Sequence, residues 1–322
     1  MEEILPNLYR IEIPLPGSPL KVLNSYVIKG DERNLIIDTG LNRKVCLDAM
    51  NAGLNELGID LAKTDLFITH LHADHFGLVS SLATPETKVY FNRADAEIIE
   101  AGGSWERMIS YGGLNGFPEN ELRKALSNHP GFKYSSSWIP DFNILKDGEL
   151  IKAGDFSFKC VVTPGHSMGH TCLYDAVHKM LIAGDHILQD ITPNIQCWSD
   201  NEDPLGNYLT SLDKVNKLDI NLVLPGHRRL IKNSAKRIKE LKNHHRERLE
   251  EVLSILSKNS LNAFQVASHM QWNINIKNWD LFPIAQKWFA TGEAISHLRY
   301  LYERGKISQT TEGKVKIYSI KG

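Results

Sequence analysis

Thr69-His70-Leu71-His72-Ala73-Asp74-His75 follows the short apolar run Leu66-Phe67-Ile68, placing four metal-binding side chains within six residues. A helix would scatter such side chains around its circumference, and a strand would divide them between two faces. A tight loop at a strand end can converge all four on one point. Companions lie further on: His166 in Thr163-Pro164-Gly165-His166, Asp185 in Ala183-Gly184-Asp185-His186 and His227 in Leu224-Pro225-Gly226-His227. Each follows an apolar segment and sits at a glycine-containing turn. His and Asp suit divalent ions, and a catalytic zinc site keeps one position open for water. Two ions roughly 3.5–4 Å apart can share a bridging hydroxide and a bridging carboxylate. In that arrangement His70, His72 and His166 hold one ion, Asp74, His75 and His227 hold the other, and Asp185 bridges them. A metal-bound hydroxide attacks carbonyl carbon or phosphorus, and Asp74 can also take up the proton. His170, in His166-Ser167-Met168-Gly169-His170, is expected to support the ligands rather than bind metal, and His186 reads as a scaffold residue.

The elements that position these residues read as short strands over Leu8–Ile13, Ser25–Lys29, Asn34–Asp38, Leu66–Ile68 and Lys88–Phe91, with a helix from Arg43 to about Gly58 capped by Asn42. Two helices rich in aromatic residues are expected between Arg93 and Trp138. They suit either a lid over an apolar acyl or aryl group or a helical hairpin with its own small core. Strands return at Asp155–Val162, Cys172–Asp175, Met180–Ala183 and Leu222–Leu224, with a helix near Asn207–Lys217. Ile238, Leu241, His245, Leu249, Val252 and Leu256 recur at three- and four-residue steps and predict one amphipathic helix over Ser234–Lys258. Shorter helices at Ala263–His269 and Gly292–Arg304 and a hairpin over Lys306–Ile320 complete the plan of a winged helix, with the terminal Lys321-Gly322 expected to fray. The expected division is a catalytic domain over 1–232, with a helical insertion at about 93–140, and a winged-helix-like domain over 233–322.

The ordered set of Asp38 in Ile36-Ile37-Asp38-Thr39-Gly40, the Thr69–His75 run, His166, Asp185 and His227 strongly resembles the metallo-β-lactamase superfamily. The resemblance covers roughly residues 5–232. It implies an α/β fold, a four-layer αββα sandwich with two mixed sheets face to face, helices outside and metals on the loops at one edge. It also implies that Asp38 orients a metal-bound histidine rather than binding metal itself. Exported β-lactamases of this superfamily typically carry Cys where Asp185 stands, so antibiotic hydrolysis is not expected. The C-terminal region is similar to the winged-helix extension of hydrolases and of an endoribonuclease with this fold.

The chain has 322 residues and a net charge of −1, so nothing global points to nucleic acid or an anionic membrane. Its start lacks the basic-then-apolar pattern of a signal peptide, and no apolar run approaches the roughly 20 residues of a membrane span. Cys46, Cys160, Cys172 and Cys197 are scattered without a C-x-x-C pair, which suggests buried thiols in a reducing cytoplasm. From Arg228 to Lys242 seven basic residues face one acid, Glu240. That run suits a phosphate, a CoA-like tail or an RNA backbone, or simply a solvated helix face. The expected function is a dinuclear-metal-dependent hydrolase of a small-molecule thioester, ester or lactone, with zinc preferred and iron or manganese also compatible. The alternative is a metal-dependent endoribonuclease or phosphodiesterase. The C-terminal module is suited to form a homodimer, to shape the pocket or to bind nucleic acid.

Overall fold

The structure is a computed structural model describing every residue except Ser104, Ile274, Asn275, Lys277 and Gly322. Gly322, expected to fray, therefore lies outside the described residues. Seven strands form one mixed sheet in chain order: β1 (Glu2–Leu5), β2 (Leu8–Pro14), β3 (Val22–Ile28), β4 (Asn34–Ile37), β5 (Thr64–Phe67), β6 (Val89–Asn92) and β7 (Phe142–Leu145). The first four run antiparallel, and β4 to β7 pair in parallel. A second sheet holds β8 (Leu150–Ala153), β9 (Phe156–Val162), β10 (Thr171–Asp175), β11 (Met180–Gly184) and β12 (Leu222–Pro225), in the order β12-β11-β10-β9-β8. Its one parallel pair is β11–β12.

Alternation along the strands sorts their side chains into layers. Tyr26, Ile28, Leu35, Ile37 and Phe67 from the first sheet pack with Phe156, Phe158, Cys160, Leu173, Met180, Ile182 and Leu224 from the second. Ile11, Ile13, Val27, Ile36 and Leu66 point the other way. They meet Cys46, Met50, Leu54 and Leu57 of the helix Lys44–Leu57. Val161, Cys172, Leu181 and Val223 on the outer face of the second sheet are buried as well. This is the α/β sandwich of mixed sheets and helices.

Three strands escaped the sequence reading: β1, β7 and β8, each an edge of its sheet. Edge strands are half exposed, so their side chains carry a weak pattern of burial. Asn42 is not the cap of the first helix. Arg43 flanks that helix without a side-chain cap, while the Asn42 amide donates to the Ser135 carbonyl and to Ser137 Oγ, both at 3.0 Å. Among the described residues between Arg93 and Trp138 there are four helices rather than two: Arg93–Glu100, Trp105–Leu114, Glu119–Asn128 and Pro130–Lys133.

The chain divides into two compact units. One comprises residues 1–103, 133–193 and 211–238; the other comprises 104–132, 194–210 and 239–322. This differs from a cut at residue 232. Residues 105–132 share a core with C-terminal helices, because Ile109, Phe117, Leu122, Ala125 and Leu126 bury against Trp288. Their apolar faces are thus used in packing, and that core is not the hairpin's own. A second cluster in the same unit joins Val252, Leu256, Ala263, Val266, Ile295, Leu298, Ile307 and Tyr318. The unit's hairpin pairs β13 (Ile307–Glu312) with β14 (Val315–Ile320). Its long helix begins at Ile284 rather than Gly292 and runs to Glu303. Gly292 does not break it. A Cβ there would approach Gln196 Oε1 and Trp198 to 2.9 Å, so the glycine allows close packing.

Candidate metal centre

The C-terminal ends of five strands deliver the site. Asp38 follows β4, the His70–His75 run follows β5, His166 follows β9, Asp185 follows β11 and His227 follows β12. The run itself changes from loop to one helical turn, Ala73–Phe76, with His72 at its N-cap. That change lets His70 and His72 point along the loop while Asp74 and His75 ride the turn.

The structure brings all seven predicted donors together in overlapping groups: His70, His72 and His166; His70, His75 and Asp185; and Asp74, His75 and His227. Within each group the donor atoms lie within 4.8 Å of one another. His70 Nε2 and His72 Nδ1 are 3.0 Å apart. Asp185 faces both ends of the cluster: its Oδ1 is 3.5 Å from His75 Nε2, and its Oδ2 is 3.6 Å from both His166 Nε2 and His227 Nε2. His227 Nε2 is also 3.4 Å from Asp74 Oδ2. A four-coordinate ion with ligands at about 2.0–2.1 Å keeps neighbouring ligand atoms about 3.3–3.4 Å apart, which is close to this spacing.

Buried hydrogen bonds fix the imidazole tautomers. His227 Nδ1 lies 2.7 Å from the Val22 carbonyl, which can only accept, so the proton is on Nδ1. His75 Nδ1 donates to Asp38 Oδ2 at 2.7 Å. Thr69 Oγ1 donates to the Asp38 carboxylate at 2.8 Å and so accepts from His70 Nδ1 at 3.0 Å. All three rings therefore turn Nε2 towards the cluster, the nitrogen left for metal ligation. His75 Nε2, His227 Nε2 and Asp185 Oδ1 are buried without a hydrogen-bond partner. Orphaned buried polar atoms are costly in a protein interior, and a cation, taking the place of any proton on the two rings, would satisfy all three. The residues fit a pair of divalent ions.

The charges agree. Burial, reinforced by the neighbouring His75 and His72, holds His70 well below the ordinary histidine value; burial with His166 takes His72 down to about 3. Both are neutral, the form that ligates. Burial alone would also depress His75, but Asp38 and Asp185 outweigh it and hold that ring well above its ordinary value. A cation would displace the extra proton. Burial would raise the Asp74 carboxyl; the His227 ring 3.4 Å away and the charge of His75 keep it below the usual range instead. Asp185 is held low in the same way, by His227 and His75 against burial.

Asp38 is 2% exposed and accepts from Thr69 N at 2.8 Å besides His75, so one carboxylate orders the start of the run and the ring at its end. Its φ of 60° is in the left-handed region, which Asp and Asn tolerate best among side-chain-bearing residues. His170 Nε2 accepts from the Asp185 amide at 3.2 Å, and its Nδ1 therefore donates to Thr163 Oγ1 at 2.8 Å. It holds the backbone of Asp185. His186 is fully buried, its ring centroid 5.9 Å from that of His170, and burial takes its pKa down to about 3.

Sequence reasoning missed Asp95, in the helix Arg93–Glu100. Its carboxylate accepts from Leu71 N, Ser167 Oγ and Gly169 N. Burial pushes its carboxyl up to about 6, against the pull of those three donors. Nothing in the sequence marks it off from any acid in a helical first turn.

The chain belongs to the metallo-β-lactamase superfamily, whose family model matches residues 20–227. With this fold and donor set it is a metal-dependent hydrolase. Among its relatives is the human acyl-coenzyme A thioesterase MBLAC2, 27% identical over 213 residues, covering 63% of this chain and 72% of that protein. The atrochrysone carboxyl ACP thioesterase of Emericella nidulans is 25% identical over 321 residues, covering 98% of this chain and 85% of its own. Among solved structures, the metallo-β-lactamase family protein TTHA1429 from Thermus thermophilus superposes with a TM-score of 0.81 at 26% identity, covering 99% of this chain and 100% of that one.

Proposed function

We propose that this protein is a dinuclear-metal-dependent hydrolase of small-molecule acyl thioesters. The observation that carries the hydrolytic reading is the cluster of inward-facing donors whose buried Nε2 and Oδ1 atoms lack partners. Two relatives named thioesterases, one acting on acyl-coenzyme A and one on an acyl carrier protein, support the substrate class.

His70, His72 and His166 would hold one ion, and Asp74, His75 and His227 the other. Asp185 would lie between them, since its Oδ2 is equidistant from His166 and His227. When bound, such a pair supplies an activated water and a Lewis acid for the carbonyl oxygen, and zinc, iron or manganese would serve. The chain's own residues do the rest. Asp38 and the Val22 carbonyl fix His75 and His227 in the ligating tautomer. Asp74 is ionised, and its side chain is 20% exposed against 8% for Asp185. It is the better placed carboxylate to accept a proton near substrate.

The basic run fits this reading better than an RNA track. Arg237 donates to the Leu188 and Ile191 carbonyls, each at 2.7 Å, and Arg229 forms a two-point pair with Asp190. Arg228 donates to the Pro19 carbonyl. These three cations brace the chain around the site. We further propose that the C-terminal helices and hairpin form a winged-helix-like module that shapes the enzyme or its self-association rather than binding nucleic acid. Among the described residues no helix is long and apolar enough to cross a membrane, and all four cysteines are buried free thiols, which suits a cytoplasmic setting.

The test is hydrolysis of an acyl-coenzyme A series beside an oxygen ester, a lactone and single-stranded RNA, with metal-loaded protein and Asp185→Ala as control. Thiol release that disappears in the variant is expected. RNA cleavage lost in the variant, without thiol release, would replace this reading with the nuclease one.

A further inference from the structure

Two buried carboxylates support the cluster, and they make their direct bonds at different places in it. Asp38 bonds the ligand His75, which groups with Asp74 and His227 and also with His70 and Asp185, and it reaches His70 only through Thr69 Oγ1. Asp95 reaches elsewhere. Its Oδ2 accepts from Leu71 N at 2.9 Å, and Leu71 is the residue between His70 and His72. The same oxygen accepts from Ser167 Oγ at 2.7 Å, and Ser167 adjoins His166. Its Oδ1 accepts from Gly169 N at 2.7 Å, in the same loop. The bonds cross 24, 72 and 74 residues of chain, and Asp95 is fully buried. The fit is close, since a Cβ on Gly169 would come within 2.7 Å of Asp95 Cγ.

We propose that Asp95 is a positioning residue dedicated to the His70/His72/His166 subsite, clasping its two ligand loops together, while the ligand that Asp38 bonds directly is His75 of the Asp74/His75/His227 subsite. The inference rests on the two-metal reading above. One carboxylate accepts three hydrogen bonds here, all from groups that only donate or are oriented to donate. Asn has a single acceptor oxygen, so Asp95→Asn turns an amide N–H against at least one buried donor in either orientation. The loop carrying His72 or the loop carrying His166 must then move. Supporting residues of this kind change metal affinity by about 10–100-fold.

The experiment measures zinc equivalents and stepwise affinities by chelator competition, together with the absorption spectrum of the cobalt-substituted protein. It compares wild type, Asp95→Asn and Asp38→Asn with two reference variants, His72→Ala and His227→Ala. The expected result is that Asp95→Asn weakens one equivalent by about 10–100-fold, with the residual cobalt spectrum of His72→Ala, whereas Asp38→Asn matches His227→Ala. Wild-type affinities in Asp95→Asn, or a match to His227→Ala, would overturn the assignment. Fewer than two equivalents in the wild type would overturn the two-metal reading and the assignment with it. Should Asp95→Asn fail to fold, Ser167→Ala removes one donor of the three. It is expected to weaken the same equivalent by a smaller factor, and unchanged affinity in that variant would equally refute the proposal.

Discussion

Replacing Asp38 by Asn or by Ala separates structure from metal binding at one residue. Asp38 accepts from the Thr69 amide at 2.8 Å and from His75 Nδ1 at 2.7 Å, and both donors belong to fully buried residues. In Asp38→Ala both donors and the Thr69 hydroxyl, which also donates to this carboxylate, lose their acceptor. At about 1–3 kcal/mol for each unsatisfied buried group, the destabilisation is about 3–9 kcal/mol. The left-handed φ of 60° adds about 1–2 kcal/mol more for alanine. Asn keeps one oxygen for the Thr69 amide and tolerates that backbone, so Asp38→Asn should cost only about 1 kcal/mol. Its amide group, however, then faces His75 Nδ1, which must accept rather than donate. The ring proton moves to Nε2 and blocks the lone pair that faces Asp185. A loss of about 10–100-fold in the affinity of one metal equivalent follows. Urea unfolding of the metal-free proteins gives the stability, and chelator competition gives the affinity. Wild-type affinity for both equivalents in a folded Asp38→Asn would refute the argument that this carboxylate sets the tautomer.

Two further outcomes are expected. Gly226→Ala places a Cβ 2.7 Å from Asp185 Oδ1 and 2.8 Å from His75 Cε1, so it should cost a metal equivalent and most turnover while the protein stays folded; metal analysis showing two equivalents would contradict this. In the C-terminal unit, burial depresses His297 to about 3, with Arg248 and His244 acting in the same sense against the hydrogen bond to the Glu293 carbonyl. Below an unfolded value of about 6.5 the unfolded chain binds a proton that the native protein refuses, so stability falls as pH falls from 6.5 towards 3. Relative to wild type, the metal-free His297→Gln protein should regain roughly 2–3 kcal/mol between pH 7 and pH 4.5. A difference between the two proteins that stays constant across that range would contradict it.

How much could be read from the chain alone depended on whether a feature was local. The His70–His75 run is legible because four metal-binding side chains so close together rarely serve anything but a metal, and the glycine turns before His166, Asp185 and His227 mark strand ends. The central strands carry near-continuous apolar runs, whereas the edge strands β1, β7 and β8 do not, and their pattern is too weak to stand out. Gly292 reads as a helix boundary, yet it lies inside the helix Ile284–Glu303 because Gln196 and Trp198 need the space of a side chain. Asp95 is the clearest loss. Its importance comes from three donors far away in sequence, and no local pattern signals such a meeting. The aromatic residues of 104–132 are visible as apolar, but their shared core with Trp288 exists only in the folded chain.

The most direct test of the account is acyl-coenzyme A hydrolysis by metal-stripped protein as zinc is added back in measured equivalents. Activity should be absent without metal, rise with added zinc and reach its plateau at two equivalents, and it should be lost in Asp185→Ala at any loading. A plateau at one equivalent would contradict the dinuclear assignment, and full turnover without metal would contradict the account as a whole.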